Sequence, residues 1–195
     1  MENLKLWNKV EKTNPIYTSE ANISGRKVTS IDAYAQIKQA TEEFGVFGEN
    51  WGLKDTSMEF KEIGETVLCI YKATFFAPKV TFPMYNSIKV SYRTTGVSGY
   101  LKVDDEFAKK VETNTITKAL TRLGFNTDIF MGKFEDSRYV EEVTIEFEEQ
   151  KFEEYEEKLK NAKDLRSLQK VFSSLPVTAK AKFEKLKDEL KTNLK

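Results

Sequence analysis

Residues 51–93 constrain the fold more than any other part of the chain, because their apolar spacing suits paired strands. Trp51–Lys61 and Glu65–Phe76 read as two strands, separated at Glu62-Ile63-Gly64 by a hairpin-length break. In the second run Val67, Leu68, Ile70, Tyr71, Phe75 and Phe76 are dense enough for a central strand. Pro78 and Pro83 then bracket a connection, since proline has no N–H to give to a ladder. Asn86–Arg93 alternates, with Ile88, Val90 and Tyr92 on one side and Lys89, Ser91 and Arg93 on the other. These segments predict an antiparallel meander of three strands, followed by a loop over Thr94–Gly99.

Helices flank the meander. Before it, Thr29 and Asp32 form a capping-box-like pair, with Ser30 as the alternative N-cap. Ile31, Tyr34, Ile37, Thr41 and Phe44 then recur at helical spacing until Gly45 stops the run. Gly45, Gly48 and Gly52 punctuate a tight loop, and Trp51 beside them is expected in the core rather than as a stacking platform. After the meander a second helix is predicted from about Asp104 to Leu123, closed by Gly124, with Phe107, Val111, Ile116, Leu120 and Leu123 as its buried stripe. Acidic residues crowd its start, where the helix dipole favours them. Residues 125–140 read as a loop and a short strand. The expected class is therefore α+β, with a core domain over 1–147 and a small helical C-terminal region over 148–195. In that region Glu148–Lys160, Asp164–Leu175 and Val177–Leu194 form three short amphipathic helices, the last two separated by Pro176.

Composition narrows the chemistry. The chain has no histidine, and so lacks the commonest general base and metal ligand. It has no GxxxxGK[ST] loop for a nucleoside triphosphate. Its one cysteine, Cys69, lies in the apolar run Thr66–Ala73 and reads as a small buried hydrophobe. No apolar run is long enough to span a membrane, the N-terminus is too polar for a secretory signal, and a reducing cytoplasm fits. Asp55, Glu59 and Lys61 resemble a fragment of a metal-dependent nuclease site, two carboxylates and a lysine to hold a cation and activate water. Their spacing is short, and solvated strand charges are the commoner meaning.

Formal charge balances at 31 basic and 31 acidic side chains, but unevenly along the chain. Residues 1–140 carry 19 basic and 18 acidic groups, 141–157 one and nine, and 158–195 eleven and four. A local basic patch therefore remains open to a polyanion. Arg26 and Lys27 precede the first helix; Lys72, Lys89 and Arg93 sit on the meander. Lys102, Lys109 and Lys110 flank the start of the second helix, Lys118 and Arg122 lie four apart near its end, and Lys133 and Arg138 follow. Interleaved with aromatic residues, such a set suits a nucleic-acid backbone with stacking bases, although any one of these lysines is more commonly a solvated charge.

The segments GRKVTSIDAYAQIKQATEEFGVFGENWG, TNTITKALTRLGF and GKFEDSRYV, in that order, resemble phage-encoded single-strand annealing proteins of the Sak type, in the Rad-fifty-two-like superfamily. The resemblance spans roughly residues 5–140 and leaves out the C-terminal region. It implies a curved three-stranded meander packed on helices, and ring or helical homo-oligomers that hold single-stranded DNA in a basic groove with bases outward for annealing in recombination. It implies no cofactor and no ATP. Lys118-Ala119-Leu120, closing at Gly124, matches the family's KAL…G helix; Lys118 falls on a basic position and Lys109 or Lys110 on an earlier one. Thr117 and Thr121 stand where eukaryotic relatives tend to be basic, and Lys72, Lys89 and Arg93 follow by strand position only. Location in the cytoplasm of a bacterial host follows from the same likeness. The expected partners are single-stranded DNA, the annealed duplex, further copies of the chain and, through the C-terminal region, a host single-strand-binding protein or a phage exonuclease. The rival readings are the metal-dependent nuclease and an assembly factor without DNA affinity.

Overall fold

The computed structural model describes residues 2–23, 25–94 and 99–194. The chain divides into two compact units, Met1–Asp136 and Ser137–Lys195. In order, the first holds α1 (Lys5–Val10), β1 (Thr18–Ile23), β2 (Arg26–Ile31), α2 (Ala33–Phe44), β3 (Gly52–Ile63), β4 (Thr66–Ala77), β5 (Val80–Arg93), β6 (Leu101–Val103), α3 (Phe107–Arg122) and α4 (Thr127–Phe130). The second holds α5 (Ser137–Lys160), α6 (Leu165–Ser174) and α7 (Val177–Asn193). The class is α+β, with a curled antiparallel sheet in the order β3-β4-β5-β6 and a separate β1–β2 hairpin.

The meander thus has four strands where three were expected. Leu101–Val103 pairs with Ser91–Arg93, and a strand of three residues is too short for periodicity to reveal. Residues 95–98 of the expected loop before it lie outside the described residues. The bracketing role given to Pro78 and Pro83 is also corrected. The turn is Pro78-Lys79, with Lys79 left-handed at φ 66°, while Pro83 lies inside β5 opposite Thr74. Among the described residues no strand pairs with the far edge of that part of β5, because β6 pairs only with residues 91–93, and prolines are tolerated on such an edge.

Directly opposed residues share a face of the sheet, so the register divides the strands cleanly. Cys69, Tyr71, Ala73, Phe75 and Ala77 of β4 are buried, together with Met84 of β5. This inner face packs with Val111, Ile116, Ala119 and Leu120 of α3 and with Trp51 and Phe125. Trp51 is fully buried as expected, and donates its indole N–H to the Gly45 carbonyl at 3.1 Å. The even-numbered residues of β4, Leu68 to Phe76, stay outside that core. A bulge in β5 between the partners of Val67 and Leu68 breaks the simple alternation expected for Asn86–Arg93. Lys89 and Tyr92 share the outer face, and Ser91 and Arg93 turn inward.

Elsewhere the structure departs from expectation at ends and polar strands. Ile31 closes β2 rather than opening the first helix, and Asp32 alone is the N-cap, accepting from Tyr34 N at 2.8 Å. Thr29 and Ser30 are strand residues, so the expected capping pair does not form. Residues 125–140 hold no strand; α4, a 3-10 turn at Lys133–Glu135 and the start of α5 occupy them. The helical region accordingly begins at Ser137, and the expected boundary at 147 falls within α5. Its core of Leu159, Leu168, Leu175, Ala179 and Phe183 draws on all three expected stripes. Asp164 opens α6 with a capping box, accepting from Ser167 N at 2.7 Å.

Candidate nucleic-acid interface

Helix α3 carries the first group of candidate residues, because its buried stripe fixes which flank remains free. Val111, Thr115, Ala119 and Leu120 face the sheet, which leaves Lys118 and Arg122 on the side toward β5. Lys118 Nζ donates to Asn86 Oδ1 at 2.7 Å, and the same amide donates through Nδ2 to Thr115 Oγ1 at 3.2 Å. Arg122 lies 5.9 Å from the Phe82 ring centroid and donates to Met84 Sδ at 3.2 Å. Two cations one turn apart are therefore held by β5 side chains, with their remaining donors toward solvent.

A cleft of about 600 Å³ opens beside Lys118. Val28–Ile31 and Ala33 line one wall; Thr113, Asn114, Thr117 and Lys118 of α3 line the other, with Ile129 and Phe130 of α4. Hydroxyl, amide and apolar groups dominate, and Lys118 supplies the positive charge. The Thr29 N–H at its rim donates to Glu135 Oε1 at 3.4 Å.

The outer face of the sheet gathers a second group. Lys72 lies opposite Tyr85, Lys89 opposite Leu68, and Lys102 opposite Tyr92. The register adds Lys54 opposite Thr74 and Lys61 opposite Leu68. Lys89 Nζ sits 5.2 Å from the Tyr92 centroid and Lys54 Nζ 5.7 Å from that of Phe76, while Tyr85 is 65% exposed. Lys54, Tyr85 and Tyr92 were not singled out from sequence. Their grouping depends on register and on two bulges, which a single strand's pattern does not reveal.

Other expected residues stand apart. Arg93 lies on the inner side, bound to Glu65 at 3.1 Å and to the Gly99 carbonyl at 2.9 Å. Lys109 pairs with Glu106 at 3.0 Å, and Lys110 with Asp104 at 2.7 Å. Through its hydrogen bond Lys110 holds the Asp104 carboxyl below the usual range, and Lys109 does the same for Glu106. The Lys110 ammonium is in turn raised, chiefly by the Asp104 hydrogen bond. Arg26 and Lys27 ride on the β1–β2 hairpin, where Lys27 pairs with Glu20 at 3.1 Å. Lys133 sits in the 3-10 turn after α4.

In the nuclease fragment, Asp55 occupies the bulge of β3 at φ 52°, while Glu59, ion-paired with Lys72, shares the outer face with Lys61. Among the described residues no group of three His, Cys, Asp or Glu side chains is placed to hold a metal ion. Burial raises the Cys69 thiol, as suits a core residue. Among the described residues no helix is long and apolar enough to cross a membrane. The chain matches no protein-family model, and none of the curated proteins compared with it matches.

Proposed function

We propose that this chain binds single-stranded DNA and anneals complementary strands without ATP or other cofactor, as a homo-oligomeric factor of phage homologous recombination. The observation that carries this reading is the pair Lys118 and Arg122, one turn apart and held by β5 side chains, with Lys118 also lining the cleft between α3 and β2. A strand lying there meets Lys118 for its phosphates and hydroxyl and amide groups along the cleft wall, with Arg122 one turn further along α3. The outer-face lysines with Tyr85 and Tyr92 offer further charge and aromatic surface to a polyanion. Annealing needs no bond chemistry. Phosphate neutralisation lowers strand repulsion, and base pairing selects the product.

The second unit carries the partner role in this proposal, recruiting a host single-strand-binding protein or a phage exonuclease. Its α5 is strongly acidic over 141–157, whereas 158–195 is basic. Binding of a fluorescent oligonucleotide across a salt series tests the DNA assignment. Affinity is expected to fall log-linearly with salt, at a slope of about −0.7 per phosphate contact. A chain with no affinity at low salt refutes it. Deleting residues 137–195 tests the partner role, which fails if the shortened chain still captures those proteins as well as the full one.

A further inference from the structure

Assembly is part of the reading above, and the sheet itself indicates where copies meet. Among the described residues β3 and β6 are the two edges of the sheet. Both leave large apolar side chains in solvent: Met58 and Phe60 are 40% and 57% exposed on β3, and Leu101 and Val103 are 60% and 61% exposed on β6. Phe60 lies opposite Cys69 and Met58 opposite Tyr71, which puts both on the inner face. Val103 lies opposite Ser91, and Ser91 opposite Val67, so Leu101 and Val103 share that inner face. Glu59 and Lys102 project from the outer face instead. An open twelve-residue edge with exposed apolar residues is a template for another strand.

We infer that β3 of one copy pairs antiparallel with β6 of the next, continuing the sheet from subunit to subunit. Strand directions alternate across β3-β4-β5-β6, so head-to-tail extension makes this contact antiparallel. One register satisfies both faces. Phe60 then opposes Leu101 and Met58 opposes Val103 on the inner side, while Glu59 opposes Lys102 and Lys61 opposes Tyr100 on the outer side. Sliding by two residues in one direction sets Lys61 against Lys102 and Glu62 against Leu101, a like-charge and a mismatched pair. The two edges are dissimilar, so the contact is heterologous and propagates into a closed ring or a helical filament. This inference deepens the assembly element of the proposed function and rests on it for the expectation that copies associate.

Sedimentation of the full chain without DNA, over a concentration series, provides the test. Lys102→Glu or Glu59→Lys alone is expected to raise the assembly midpoint about threefold to tenfold, and the two together to restore most of it. In a Cys69→Ala background, which removes the thiol directly opposite position 60, a chain carrying both Phe60→Cys and Leu101→Cys is expected to give a ladder beyond dimer on oxidation, with neither single variant cross-linking. A monomeric wild type overturns the inference. So does a cross-linked dimer from Phe60→Cys alone, which signifies β3 on β3, or an absent ladder from an assembled double variant. Because DNA is left out, failure here is separable from failure of the DNA reading. Monomers that bind DNA sink only the interface, and assemblies without DNA affinity sink only the DNA assignment.

Discussion

Asn86 on β5 accepts the Lys118 ammonium at 2.7 Å while its own N–H₂ is tied to Thr115, so a strand side chain fixes the position of a helix cation. This matters for function because a positioned cation loses less freedom on meeting a phosphate than a mobile one. Lys118→Ala with Arg122→Ala is expected to weaken single-stranded DNA binding and to flatten its salt slope by about 1.4, two contacts at about 0.7 each. Anisotropy titrations on the folded double variant check both quantities. An unchanged slope refutes the assignment of this patch.

Asp128 ties the N-terminal segment to the end of the helical layer. Buried at 1% exposure, it accepts from Thr13 N at 2.7 Å and from Thr13 Oγ1 at 2.6 Å. Removing a charged acceptor from buried donors costs their desolvation as well as the bond. Asp128→Ala is expected to lower stability by about 3 kcal/mol, and Thr13→Val by about 1–2 kcal/mol. Urea denaturation of the three proteins measures the differences.

Gly124 is the stop after α3, at φ 104°, and a β-carbon there would stand 2.8 Å from Trp7 Cα. Because the obstacle is backbone, it cannot swing aside as a side-chain tip does. Gly124→Ala is expected to cost about 2–3 kcal/mol, from left-handed strain together with displacement of α1. Gly132 has φ 74° but open space around the missing β-carbon. Gly132→Ala is therefore expected to cost only about 1 kcal/mol. Equal losses in thermal melts would contradict the steric account.

In the second unit the Asp164 carboxyl is held below its usual value, first by the Ser167 backbone N–H and then by the Ser167 hydroxyl. A carboxylate with a lowered folded pKa gives its stabilisation above the unfolded value of about 4, and loses it as pH falls through the folded one. Wild type is expected to lose α6 capping below about pH 4. Asp164→Asn, which caps without titrating, should show no such step. Far-UV circular dichroism across that window, on both proteins, measures it.

Much of the fold was legible where side chains report their surroundings. The central strand β4, the hairpin joining it to β3 and the body of α3 follow from dense or periodic apolar residues, as do the stripes of the second unit. Legibility failed where backbone pairing acts without apolar markers. Thr18–Ile23 and Arg26–Ile31 form the β1–β2 hairpin, yet their polar side chains imitate a helix start at Thr29. Pro83 suggested a loop because an open strand edge is a tertiary fact and leaves no local trace. For the site, the i, i+4 spacing of Lys118 and Arg122 was visible, but their anchoring by Asn86, Phe82 and Met84 comes from the α3–β5 crossing. The outer-face lysines converge only once two bulges have set the register.

Annealing of two complementary labelled oligonucleotides without ATP, across a salt series and with strand length followed on a denaturing gel, separates strand annealing from its rivals. Duplex formation is expected to be faster than the uncatalysed reaction and progressively lost with salt, with strands of unchanged length. No acceleration at any salt concentration would contradict strand annealing, and magnesium-dependent shortening of the strands would replace it with nuclease chemistry.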